Sequence, residues 1–175
     1  MATQLEDLNV LQRAEKVSDL LWKHVIRWDP FVRDAMGLQI ARAADSIGAN
    51  IAESFGRFHY GEKIQFLYYA RGSLFETKYW LNRSLSRSLL TDSIARDLSA
   101  ELTTVAKQLN AFTKDLKNQR YPKSDQQGAV REPGLEYQPD DLNVEPLFSQ
   151  EELDWYSSTE PESPTINLQS PISNL

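Results

Sequence analysis

The sequence predicts an all-α protein, an antiparallel up-and-down four-helix bundle followed by a disordered acidic C-terminal tail. Apolar residues recur at spacings of three and four through four long segments, and no segment alternates at period two. The connections between those segments are short, which makes consecutive helices antiparallel neighbours. Seven of the eight prolines lie from Pro122 onward, where the composition turns to Ser, Pro, Gln and acid.

The first helix is expected from about Val10 to Trp28, with Val10, Ala14, Val17, Leu21, Val25 and Trp28 on one stripe. Asp29-Pro30 ends it, because a residue before proline avoids helical dihedrals. The second runs from about Phe31 to Gly56 and lines up Ile40, Ala44, Ile47, Ile51 and Phe55. Ala41, Gly48 and Ala52 form an adjacent strip of small residues, which predicts a close neighbour on a second side. The third spans about Tyr60 to Leu89 and carries three apolar stripes: Leu67, Leu74 and Leu81; Phe66, Tyr69 and Trp80; Tyr68, Phe75 and Tyr79. A helix apolar most of the way round is expected to be buried most of the way round. The fourth follows a Thr91-Asp92 cap and repeats Ile94, Leu98, Leu102, Val105, Leu109, Phe112 and Leu116.

The formal charge of −6 is split along the chain. Residues 1–123, read as the bundle, carry 18 Lys/Arg against 14 Asp/Glu; residues 124–175 carry one Arg against 11 acids. A tail so poor in apolar residues cannot offset its ordering entropy by burial. Its exception is "LFSQEELDWY". Ser149 and Glu152 stand as in a capping box, and Phe148 and Leu153 as in a hydrophobic staple, so a short helix is expected near 149–156. With Leu153 and Trp155 as apolar anchors, it docks on the bundle itself or on another protein. The apolar runs are too short to span a membrane, and the N-terminus lacks a signal-peptide pattern; a cytoplasmic protein is the expectation.

The sequence offers little chemistry. There is no cysteine, which removes disulfides, thiolate catalysis and Cys-based zinc. His24 and His59 have no Glu or His at ligand spacing, and the paired Glu-x-x-His of di-iron bundles is absent. No phosphate-cradling glycine loop or nucleophile elbow occurs. No catalytic, cofactor or metal residue is assigned, and an enzyme is not expected. Gly72, inside the third helix, costs about 1 kcal/mol relative to alanine, which close helix packing would explain. Lys78, Arg83, Arg87, Lys107, Lys114, Lys117, Arg120 and Lys123 are the candidate nucleic-acid contacts, weak singly and additive in an oligomer. The bland alternative for them is a solvated face with helix-end cations. Asn50, Glu53, Arg57, Ser73 and Glu76 are polar intruders on apolar helices, read as a hydrogen-bond network joining the second and third helices or as a ligand site.

"LQIARAADSIGANIAESFGR" followed by "KIQFLYYARGSLFETKYWL" resembles the 23S rRNA-intervening-sequence protein family. The matching residues are Gln39, Ile40, Arg42, Ala43, Ser46, Ile47, Asn50, Ile51, Ala52, Glu53, Gly56 and Arg57, then Phe66, Leu67, Ala70, Gly72, Ser73 and Glu76. Ala41 stands where an arginine is common in the family, and Ser54 where a glycine is. The resemblance covers about residues 10–120 and implies a four-helix bundle that forms a homopentamer. It implies a non-catalytic scaffold that binds RNA or an RNA-handling protein. The alternative it implies is an accessory subunit of a diversity-generating retroelement, bound to that element's reverse transcriptase and RNA.

Overall fold

The structure, a computed structural model, describes residues 4–120 and 148–151. A 3-10 turn at Leu5–Asp7 leads into α1 (Asn9–Val25). A short α2 (Pro30–Val32) and a π-helical turn (Arg33–Gly37) run without a break into α3 (Leu38–Gly56). The long α4 (Tyr60–Ser86) and α5 (Asp92–Arg120) complete the bundle, and no strand occurs among the described residues. The tail's expected disorder, Lys123, Leu153 and Trp155 lie outside the described residues.

Each helix packs on two neighbours, in the cyclic order α1, α3, α4, α5. Cross-helix contacts show that the pairs are antiparallel. Gly37 meets Val25 while Gly48 meets Leu11 between α3 and α1, Asn50 meets Ser73 while Ser54 donates to Lys63 O between α3 and α4, and Arg120, at the end of α5, covers Gly61, at the start of α4. The core takes one stripe from each helix: Ala14, Val17 and Leu21; Ile40, Ile47 and Ile51; Leu67, Leu74 and Leu81; Leu98, Leu102 and Leu109. The four apolar seams read from the sequence are these stripes.

α1 ends at Val25, short of the expected Trp28, and closes in a turn where Arg27 N–H donates to His24 O and Trp28 N–H to Val25 O. Three further local departures have physical reasons. The expected second helix contains a π turn, which places Met36 and Gly37 both inward. A Cβ on Gly37 would lie 2.7 Å from Val25 Cγ1, so the wider turn and the bare backbone together let this corner close on α1. Second, α4 stops at Ser86 rather than Leu89. Ser88 takes φ 55°, its N–H donates to Leu85 O, and Leu89 N–H donates to Ser84 O. This is a Schellman termination with serine in glycine's usual place. Trp28 Nε1 donates to Leu89 O at 3.1 Å and pins that turn to the turn after α1. Third, α4 is not buried on three sides. Its buried residues form one stripe, while Tyr69, Phe75 and Tyr79 stay about half exposed.

The Thr91 cap is as expected: its Oγ1 accepts from Ile94 N–H, the third residue of α5. On the α1–α5 side, Arg13 and Lys16 both bind Glu101. The Lys16 hydrogen bond, more than any other influence, holds the Glu101 carboxyl below its ordinary value of 4.5; partial burial works against this, and the positive charges of Lys16 and Arg13 assist.

Two outcomes follow from this packing. Gly37→Ala should destabilise the fold by about 1–3 kcal/mol, because Val25 is buried and stiff at χ1; thermal unfolding measures it. Glu101→Gln should cost no more than about 1 kcal/mol near neutral pH, since both cations are largely exposed. Glu101 binds its proton less tightly folded than unfolded, so its contribution is complete above about 4.5 and fades as pH falls through the lowered folded value. Unfolding measured against pH should show the mutant and parent curves converging at the acid end.

Candidate interaction surfaces

The residues that carry the family resemblance lie on both the inner and the outer surface of α3 and α4, with Ser46, Asn50, Ala52, Arg57, Phe66 and Ser73 half-buried, and they share these faces with other residues. On α3, Ile40, Ala43, Ile47 and Ile51 enter the core, while Gln39, Arg42, Ala49 and Glu53 are exposed and Ser46 half-buried, at spacings that make one outward line. On α4, Leu67 and Ala70 face inward, and Gln65, Tyr69, Gly72, Glu76 and Tyr79 form an outward line, with Phe75 beside it. The two lines share one face of the α3–α4 pair. Asn50 Nδ2 donates to Ser46 O at 2.8 Å and reaches Ser73 Oγ at 3.5 Å, which ties the helices together. Ser73 Oγ donates to Tyr69 O.

The polar intruders therefore form three separate groups rather than one network. Asn50 and Ser73 bridge the helices. Glu53 and Arg57 pair along α3, and the Arg57 guanidinium lies 4.5 Å over the Phe66 ring. Glu76 accepts from Trp80 Nε1 at 3.4 Å within α4. Arg42 is exposed. None of these residues is enclosed, and among the described residues no three His, Asp or Glu side chains gather to hold a metal.

Gly72 sits in the middle of the outward aromatic line, and a Cβ added there would meet nothing within 4 Å. Close packing inside the bundle thus does not explain this glycine. The small strip on α3 has a similar outcome. Ala44, Gly48, Ala49 and Ala52 floor an open groove of about 290 Å³ between α1 and α3, with Leu5, Leu11 and Ala14 on its apolar side and Glu15, Ser18 and Asp45 at its rim. A Cβ on Gly48 would lie 3.6 Å from Leu11 Cδ1, an ordinary contact.

A model of the 23S rRNA-intervening sequence protein family matches residues 6–111. The chain belongs to that family. No curated protein matches it. The family match spans α1 to α4 and most of α5, so the outward face just described lies wholly inside it, and residues 148–151 lie outside it.

The candidate nucleic-acid contacts of this family member do not converge on one patch. Arg83 and Arg87 sit at the end of α4 near the α5 start, where Arg87 also contacts Met36 Sδ. Lys114, Lys117 and Arg120 belong to the opposite end, and Lys107 lies exposed between. Lys117 caps the Tyr68 ring at 5.5 Å, and Lys78 lies 5.0 Å over the ring of Phe148. A different charged surface was missed in the sequence. The corner from α1 into α2 exposes Trp22, Ile26 and Phe31 together with Lys23, Arg27 and Arg33, and with Asp29 and Asp34, the latter 3.9 Å from Arg33. Its signal was Trp22 and Ile26, which fall off the α1 stripe. No helix among the described residues is long and apolar enough to cross a membrane.

Phe148 is the second surprise. It is 1% exposed and belongs to the bundle's core cluster. Burying a phenylalanine side chain contributes about 1.5–3 kcal/mol, and a cation over its ring about 0.5–2 kcal/mol more. The sequence marked Phe148 as the staple of a local helix, whereas the structure uses it as an anchor in the body.

The groove makes a direct prediction. Gly48→Ala should leave the melting temperature unchanged or raise it, by up to about 1 kcal/mol in stability, because the added methyl finds room and alanine favours the helix. A marked loss of stability in thermal unfolding would mean that the strip is closed by a neighbour in solution.

Proposed function

We propose that this protein is a non-catalytic scaffold of the cytoplasm that assembles from several copies through the outer α3–α4 face and binds RNA on the assembled body. The observation that carries the reading is the exposed aromatic line of α4, with Tyr69, Phe75 and Tyr79 about half exposed around an open glycine. A mid-helix glycine on a solvated face loses stability for nothing in a single chain. At the centre of an interface it lets a second backbone come close. Five copies is the number implied by the resemblance stated above.

RNA binding is supported by charge and by the aromatic corner. Residues 1–123 carry an excess of four positive charges, and copies side by side sum their weak fields. Exposed Trp22 and Phe31 offer stacking faces, with Lys23, Arg27 and Arg33 nearby for phosphates. Sequencing RNA and identifying proteins recovered with the full chain separates direct RNA binding from service to an RNA-handling protein such as a reverse transcriptase.

Light scattering at micromolar concentration should give a multiple of the 20.1 kDa chain. Gly72→Arg should dissociate the assembly while circular dichroism stays helical, because the side chain has room in the isolated bundle. A monomeric parent protein would overturn the assembly. If Trp22→Ala with Phe31→Ala leaves affinity for single-stranded RNA unchanged, the corner is not the RNA surface.

A further inference from the structure

Residues 148–151 are a segment outside the four helices that seats one side chain in their core cluster. The seat lies in the family-matched region and the plug outside it. Phe148 enters the core cluster, Lys78 of α4 covers its ring, and helical conformation begins at Gln150, directly after Ser149. Gln150 and Glu151 remain exposed. The plug is thus an aromatic side chain, a capping residue and the start of an acidic helical turn, set against a lysine. The segment's own sequence continues the pattern with Glu152 and Asp154.

Length and strength both suit a reversible contact. Arg120 lies over Gly61, so the chain leaves α5 about 26 Å along α4 from Lys78, at 1.5 Å per residue. Residues 121–147 can reach about 90 Å when extended, so the connection spans that distance without tension. A single buried ring with a cation over it corresponds to a dissociation constant on the order of millimolar for the detached segment. Tethering supplies an effective concentration of the same order. Plugged and open seats are then close in free energy.

We propose that the Phe148 seat beside Lys78 is a peptide-docking site. The partner it fits is a protein segment with an aromatic residue, a Ser, Thr or Asp cap and an acidic first helical turn. The chain's own residues 148–151 hold the site as a tethered plug, and the partner enters by displacing them. Charge complementarity favours this chemistry, because the body is net positive and the segment net negative. The proposal does not depend on RNA binding.

The absence of cysteine allows a single probe. A nitroxide on Ser149→Cys of the full chain should be immobilised, as read by electron paramagnetic resonance. A synthetic peptide of residues 145–156 should mobilise it at millimolar concentration, and the same peptide with Phe148→Ala should not. Lys78→Gln should mobilise the label partly without peptide. The peptide should also bind the full-length Phe148→Ala chain several-fold tighter than the parent chain, since the plug no longer competes. Without any label, hydrogen exchange in Phe148→Ala should accelerate around Lys78 on α4 while α1 and α3 stay protected. Unchanged exchange there, a label equally mobile with and without Phe148, or equal displacement by both peptides up to about 10 mM would each overturn the proposal.

Discussion

Four helices around one core leave room inside for a single stripe from each. That limit shapes the rest of this molecule. α1 leaves Trp22 and Ile26 outside its stripe and α3 leaves Leu38, but the surplus is largest on α4, which carries three stripes and buries one. Leu67, Leu74 and Leu81 take the interior, and Tyr69, Phe75 and Tyr79 are left about half exposed among the described residues. The same limit explains why the family-typical polar residues of α3 are not buried. They border the uncovered aromatic line, where Asn50 and Ser73 hold the two helices in register and Arg57 lies across Phe66. The inner surface of the α3–α4 pair is aliphatic packing, and the outer surface mixes polar and aromatic residues.

The helices were legible because a 3.6-residue period is a local signal, and the Asp29-Pro30 and Thr91 boundaries are local as well. The antiparallel order followed from short connections. Partnership was harder to read. A strip such as Gly48 and Ala52 signals tolerance for a close neighbour without saying how close it comes, and the structure sets it against α1 across an open groove. The π turn before Leu38 gave no pattern, and the contact beside it joins Gly37 to Val25, twelve positions away in sequence. The outward aromatic corner at Trp22 and Phe31 was concealed by ordinary composition. Only the folded arrangement shows that these side chains share their corner with charged residues of both signs.

Phe148 shows how a charged, proline-rich appendage can belong to a fold that it does not help to build. Its neighbours in sequence cannot form a core, so it borrows one. The stabilisation is small enough to be reversed by competition, and Lys78 supplies the polarity that an isolated aromatic seat would lack.

The even number of long helices has a geometric result. An up-and-down path of four brings the chain back to its starting end, so the 3-10 turn at Leu5–Asp7, the α3–α4 turn and Arg120 all lie at one end of the bundle. The other end holds the turns locked by Trp28 and Leu89, and with them the aromatic, charged corner. The two ends of the bundle are unlike in consequence. One holds the finish of α5, and the other carries exposed Trp22 and Phe31. The bundle is a directional object: a strand or partner approaching along its axis meets different chemistry from above and from below.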